Sequence, residues 1–328
     1  MRWARKRLRF RARRVGRKLT PVADRTSNLQ PDDIILFSVM RDENLRLPYF
    51  LQYYRDLGVS HFCIVDNDST DGSADYLAGQ PDVSLWHTGA SYKAARYGVD
   101  WLNDLQSRYA HGHWCVVVDA DEFLIYPFCD TRPLHALTDW LDSCEIKSFS
   151  TMLLDMYPKG RLVDHSYQRG QNPMDITGWF DSGNYTVRPG PIYGNLWIQG
   201  GPRSRVFFDN QPRRAPALNK IPLVKWDRRY AYVNSTHMLL PSALNRVYDS
   251  AGGEKASGIL LHAKFLDNFT AKAAEEVVRN QHHADPDQYR TYVNEMSGDL
   301  QLWCKWSEKY INWRQLEILG LMSKGNWA

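Results

Sequence analysis

Residues 116–123, VVVDADEF, decide the fold. Three valines following Trp114 and Cys115 read as a strand buried on both faces, as in a parallel sheet covered by helices on either side. The run stops at Asp119, Asp121 and Glu122, so three acids sit at its carboxyl end. In open α/β sheets that edge is where ligands bind, because strand ends and the loops after them form a crevice. In extended geometry Asp119 and Asp121 project the same way, with Ala120 facing the other side. Two like charges that close repel unless a cation lies between them. Hard carboxylate oxygens suit Mg²⁺ or Mn²⁺, which keeps waters and bridges to a phosphorylated ligand. An Asx-type turn at a solvated junction would account better for an isolated D-x-D, so the surrounding chain has to decide.

Outward from this stretch, DIILFSVMRDE (33–43) reads as a first strand and NLRLPYFLQYYRDLGV (44–59) as its helix. HFCIVDNDSTDGS (61–73) is a second strand whose DSTDGS end suits a helix cap. VSLWHT (83–88) is a third, and SYKAARYGVDWLNDLQSRYA (91–110) is helical, with Tyr97, Trp101 and Leu105 on one face. The alternation β-α-β-α-β-α-β predicts a doubly wound sheet. Three of its four strands end in polar clusters: Arg41-Asp42-Glu43, Asp66-Asn67-Asp68 and Asp119-Ala120-Asp121. No G-x-G-x-x-G follows the first strand and no P-loop occurs, so phosphates must be held otherwise. A divalent cation on the fourth strand's acids would substitute for a glycine-rich cradle.

These motifs, in this order and on these elements, resemble the bacterial family-2-like glycosyltransferases of the GT-A fold, which pair R-x-E, D-N-x-S-T-D-G and D-x-D-E-F. The resemblance covers residues 34–127. It implies a Rossmann-like mixed sheet with helices on both faces and a nucleoside-diphosphate sugar donor. Asp66 or Asp68, beside Arg41 and Glu43, would contact base and ribose. Asp119 and Asp121 would carry Mn²⁺ or Mg²⁺. A late histidine would complete the metal shell, for which His262 is chosen and His237 held in reserve.

In the second half, GGPRSRVFF sets Arg203 and Arg205 two apart, on one side of a strand, where they could grip a phosphate or an acidic acceptor; solvated arginines on a surface strand are the plain alternative. Lys264 follows His262 at the end of an apolar strand. Asp181 and then Asp155 are the candidates for the base that deprotonates an acceptor hydroxyl. The pattern from about 267, NFTAKAAEEVVRNQ and then QYRTYVNEMSGDLQLWCKWSEKYINW, reads as helical. The expected organisation is a basic tail and linker (1–33), a catalytic domain (34–265) with a nucleotide-binding half (34–127) and an acceptor half (128–265), and a helical extension (266–328).

Charge separates the tail from the body. Residues 1–20 hold ten Arg or Lys and no acid, leaving 31 basic against 37 acidic residues in the rest of the chain. Ala4, Leu8, Ala12, Val15 and Leu19 recur at helical spacing, with Trp3 near one end. That pattern predicts either a disordered solubilising tail or a helix on an anionic membrane surface. No apolar run approaches a membrane span and no leader is recognisable, which points to a cytoplasmic protein peripheral to the inner face of the membrane. Five cysteines without a C-x-x-C pair suggest neither a disulfide frame nor zinc. Nothing resembles a nucleic-acid motif.

The expected function is metal-dependent transfer of a sugar to a glycan, lipid-linked or surface-polysaccharide acceptor. One alternative is a nucleotidyltransferase that makes the activated sugar, although MRDENLRLPYF lacks the glycine-rich loop usual there. The other is a non-catalytic, membrane-associated carbohydrate-binding protein. Ser-His-Asp hydrolysis is disfavoured by the lack of G-x-S-x-G.

Overall fold

The computed structural model describes residues 1–247, 253–266 and 300–327. The chain opens with α1 (Arg2–Gly16) and β1 (Thr20–Ala23). It then alternates through β2 (Ile35–Met40), α2 (Leu47–Leu57), β3 (His61–Asp66), α3 (Ser73–Ala78), β4 (Val83–His87), α4 (Val99–Tyr109) and β5 (Trp114–Val117). There follow β6 (Glu122–Ile125), α5 (Leu134–Ser143), β7 (Ser148–Asp155), β8 (Trp179–Asp181), β9 (Tyr185–Pro189), β10 (Leu196–Gly200) and α6 (Gly201–Phe207). Last come β11 (Asn219–Lys225), β12 (Ala231–Asn234), β13 (Met238–Leu240), β14 (Ser257–His262), β15 (Ser307–Lys309) and α7 (Trp313–Ile318).

Among the described residues one nine-stranded sheet runs β1-β4-β3-β2-β5-β11-β7-β14-β6. Strands β4, β3, β2 and β5 are mutually parallel, whereas β11 is antiparallel to both its neighbours, β5 and β7. The α/β expectation holds, and its cause is visible in the burial. Leu36, Phe62, Ile64 and Val116 face one core with α2, α3 and α5, while Phe37, Cys63, Val65 and Val117 face a second core with Trp101 and Leu105 of α4. Fully burying each such side chain contributes about 2 kcal/mol. Helix α2 ends where Gly58, at φ 102°, takes the left-handed cap.

Several expectations give way to tertiary contacts. Residues 1–33 are not a detached tail and linker: α1 packs on α4 through Ala12 and Gly16, and a Cβ at Gly16 would come within 2.0 Å of Asp104 Oδ2. Arg11 Nε adds a 2.8 Å bond to buried Asp100. Strand β1 then pairs with β4 as an edge of the sheet. Next, the helix expected over 91–110 starts at Val99, because Arg96, Tyr97 and Gly98 all have positive φ and a Cβ at Gly98 would meet Val39 at 2.9 Å. Lastly, Arg203 and Arg205 lie on helix α6, which Pro202 opens, and not on a strand. In the C-terminal region, Ser307–Lys309 of the expected helix is instead a strand paired with β8. The helical reading of 267–299 lies outside the described residues.

Candidate functional site

The strand order reverses between β2 and β5, and the loops leaving β2, β3 and β5 meet at the carboxyl edge of that switch. The first two loops are laced together. Asp42 N–H donates to Ser69 Oγ (2.9 Å) and Thr70 N–H to Asp42 Oδ1 (2.6 Å); Glu43 N–H donates to Ser73 Oγ (3.0 Å) and Asn44 N–H to Asp71 Oδ2 (2.9 Å). Asp71 also accepts from Ser73 N–H at 2.9 Å, starting α3. The D-N-D-S-T-D-G run therefore fixes the R-D-E loop through short polar side chains suited to such turns.

Asp66 and Asp68 are separated by burial. Asp66 is 1% exposed, with Oδ2 3.0 Å from His87 Nδ1, while Oδ1 has no hydrogen-bond partner. The Asp68 side chain is 62% exposed, at φ 65°, and lies 3.6 Å from Arg41 Nη1. Arg41 also donates to the Asn67 carbonyl at 2.9 Å, and Glu43 receives Arg46 Nη1 at 2.8 Å.

The acids of the opening stretch are not extended. A turn closes through Glu122 N–H to Asp119 O at 3.1 Å, and their side chains part. Glu122 turns inward to Lys220 Nζ at 2.7 Å, and Asp119, with its side chain 56% exposed, lies 3.5 Å from the same ammonium. Lys220 comes from β11, whose register sets Leu223 against Val116 of β5. Burial raises the Glu122 pKa against the pull of Lys220; Lys220, despite burial, is itself raised by Glu122 and Asp119.

Asp121 points the other way. Its Oδ2 is 3.4 Å from His262 Nε2, and Asp155 Oδ1 holds the other ring nitrogen, Nδ1, at 2.7 Å. Sheet register explains the row: His262 of β14 stands opposite Glu122 of β6 on one side and Asp155 of β7 on the other. Ala263 N–H bonds the Asp121 carbonyl at 2.8 Å, tying the late strand to the acidic turn. Burial alone would raise the Asp121 pKa, but His262, Arg46 and Lys264 hold it well below the carboxylate range. For His262, burial is outweighed by Asp121 and Asp155, so its pKa is raised. Burial of Lys264 beside Arg203 lowers that of the ammonium.

Asp155 is committed twice, to His262 and to Arg203 Nε at 2.6 Å. Its carboxylate is thus no freer than that of Asp181. Asp181 accepts Arg205 Nε and Nη2, both at 3.0 Å, and the Tyr157 hydroxyl. Neither arginine lies loose to grip a ligand phosphate as expected. Helix α6 is thus a partition: Arg203 faces the Asp155–His262 pair, and Arg205 faces a cavity of about 980 Å³ lined by Asp181, Asn184, Arg188 and Trp306. His237 lies apart from this row, its Nδ1 2.6 Å from the Asn219 carbonyl. Burial and Lys220 lower its pKa to about 4.

Among the described residues no three His, Cys, Asp or Glu side chains converge as a metal-binding group. Asp121 and His262 nevertheless suit a cation that takes its remaining ligands from water and phosphate, and a carboxylate behind a ligating imidazole is a common outer partner. Asp119 is drawn off by Lys220. Sequence reasoning missed Lys220 and Arg46. The one available signal was a lysine inside the apolar run NKIPLV, since a strand flanked by others buries a charge only beside a partner.

No family model matches the chain, and no curated protein matches it. Among solved structures it is similar to a putative glucose-1-phosphate thymidylyltransferase from Bacillus anthracis in complex with a sucrose, at 8% identity and a TM-score of 0.31, over 80% of this chain and 83% of that one. A 4-diphosphocytidyl-2C-methyl-D-erythritol synthase overlaps at 18% identity and a TM-score of 0.25, over 40% of this chain and 64% of that one. Overlaps this low carry no argument about activity.

Proposed function

We propose that the chain is a glycosyltransferase using a nucleoside-diphosphate sugar. The observation that carries this reading is the Asp121–His262–Asp155 row at the same sheet edge as the β2/β5 switch. Asp66, with its unpartnered Oδ1, offers an acceptor to base or ribose, and Arg41 closes the loop beside it. Asp121 and His262 would hold Mn²⁺ or Mg²⁺, with Asp119 adjoining; the cation would supply Lewis-acid stabilisation of the leaving diphosphate. Lys264 and Arg203 add positive charge at that edge, and Asp155 orients the imidazole. Asp181, at the cavity wall, is kept as the first candidate to take the acceptor proton and Asp155 as the second; each would have to leave its arginine to do so. The test is release of nucleoside diphosphate from a panel of nucleotide sugars with Mn²⁺. A second reading, nucleotidyl transfer, is favoured by the two lysines, Lys220 and Lys264, near the acidic turn. Pyrophosphate release from a nucleoside triphosphate and a sugar 1-phosphate, without turnover of any nucleotide sugar, would select it.

The membrane reading changes its residues. Leu19 is buried and Ala12 faces α4, whereas Trp3 and Phe10, two turns apart, are 78% and 73% exposed among the arginines of α1. These two rings, with basic residues worth ~1 kcal/mol each near an anionic surface, are proposed to dock the enzyme beside a lipid-linked or surface-polysaccharide acceptor. No described helix is long and apolar enough to cross a membrane. Co-sedimentation with anionic vesicles should fall for Trp3→Ala/Phe10→Ala and with rising salt; binding indifferent to both contradicts docking.

A further inference from the structure

The cavity beyond α6 continues into a second one. The larger, of about 980 Å³, and a smaller, of about 350 Å³, share Arg188, Gln199 and Arg213 as common lining. Gln199 is 3% exposed and serves as the anchor of this junction. Its amide nitrogen donates to the Arg213 carbonyl at 3.0 Å and to that of Ala215, while its oxygen accepts Arg188 Nη2 at 2.5 Å. One end of the Arg188 guanidinium is thereby fixed by a buried group, and the exposed side chain lines both cavities. Arg213, also exposed, adds a second guanidinium, and among the described residues no carboxylate lines both cavities. The acids of the larger cavity are Asp181, already neutralised by Arg205, and Asp209.

Aromatic rings flank this cationic waist. Trp306, 72% exposed, lines the larger cavity with Lys305 Nζ 4.9 Å from its ring centroid, and Trp197 and Tyr193 line the smaller. Exposed rings suit the apolar faces of sugars, and forked guanidiniums suit planar or tetrahedral anions. We infer that this double cavity is a binding groove for an acidic glycan, seating a carboxylate- or phosphate-bearing saccharide at Arg188 and Arg213, with neighbouring sugar rings against Trp306 and Trp197. The inference rests on the transferase reading for its role, since the groove opens from Asp181 and would deliver the acceptor there. Its binding can be tested without turnover.

The experiment is calorimetric titration of the whole protein with three probes: short oligouronates, oligomers of glycerol phosphate and neutral glucan oligomers, with inorganic phosphate as control. An acidic oligomer should bind and the neutral one should not. Arg213→Met should weaken that binding ~10-fold or more, as expected for loss of a charge-assisted contact. Trp306→Ala, at an exposed side chain that leaves the fold intact, should weaken it as well. Whichever of uronate and phosphate binds tighter identifies the anion. Equal affinity for the neutral oligomer, no binding of any oligomer, or competition by inorganic phosphate alone at the same concentration would each overturn the inference. Nucleoside diphosphate titrated in parallel separates this failure from failure of the transferase reading, because donor binding survives loss of the groove.

Discussion

The two sides of the site are held by different physics. On the side of the β2 and β3 loops, residues 41–73, position comes from lacing by Ser69, Thr70, Asp71 and Ser73, whose bonds join two loops nearly 30 residues apart. On the side of β6, β7 and β14, position comes from buried charge: Lys220 against Glu122, Asp155 against His262 and Arg203, Asp181 against Arg205. Lacing is a sum of many modest terms. Buried charge is a few large ones.

The comparison breaks most readily at Lys220. Replacing it with methionine leaves Glu122 buried without its cation, a change that costs about 3–5 kcal/mol where a buried pair is broken. A thermal melt should show a large fall in Tm for Lys220→Met and substantial recovery for Lys220→Met/Glu122→Leu. A single variant as stable as the parent would mean that this side is not held by buried charge.

A smaller effect is expected at Asp155, which holds His262 Nδ1. Asp155→Asn keeps a hydrogen-bonding group beside His262 Nδ1 but removes the charge, and such outer-partner changes typically lower metal affinity ~10- to 100-fold. Mn²⁺ titration of the variant checks this, alongside a melt to separate loss of binding from loss of fold. Arg203 is exposed to the same change, so unaltered Mn²⁺ affinity would assign Asp155 to Arg203 alone.

The smallest effect belongs to the laced side. Asp71→Ala removes the acceptor of the Ser73 N–H, Ser73 hydroxyl and Asn44 N–H bonds, and should cost ~1–2 kcal/mol, since each such bond contributes modestly. A destabilisation as large as that of Lys220→Met would erase the contrast between the two sides.

That contrast also explains what could be read from sequence. Strands β2 to β5 announce themselves because each is apolar on both faces and its motif follows at once, so local pattern suffices. Asp119, Asp121 and His262 could be named from pattern and resemblance, but their divergence could not. It depends on β11 inserting between β5 and β7, about 100 residues downstream of the acids, and bringing Lys220. Arg203 and Arg205 were misplaced by reading the R-S-R spacing as a strand, when Gly200-Gly201-Pro202 already favours a helix start. The Ser307–Lys309 strand has no signal of its own; pairing with Trp179–Asp181 creates it.

The most direct measurement of the central claim is calorimetry of nucleoside diphosphate with and without Mn²⁺, on the parent and on Asp121→Asn. The account predicts that Mn²⁺ tightens diphosphate binding to the parent by at least ~10-fold, that is ~1.4 kcal/mol. The metal effect should vanish in Asp121→Asn, with the melting temperature kept near that of the parent. Equal affinity with and without Mn²⁺ in the parent, or an undiminished Mn²⁺ effect in the variant, would contradict it.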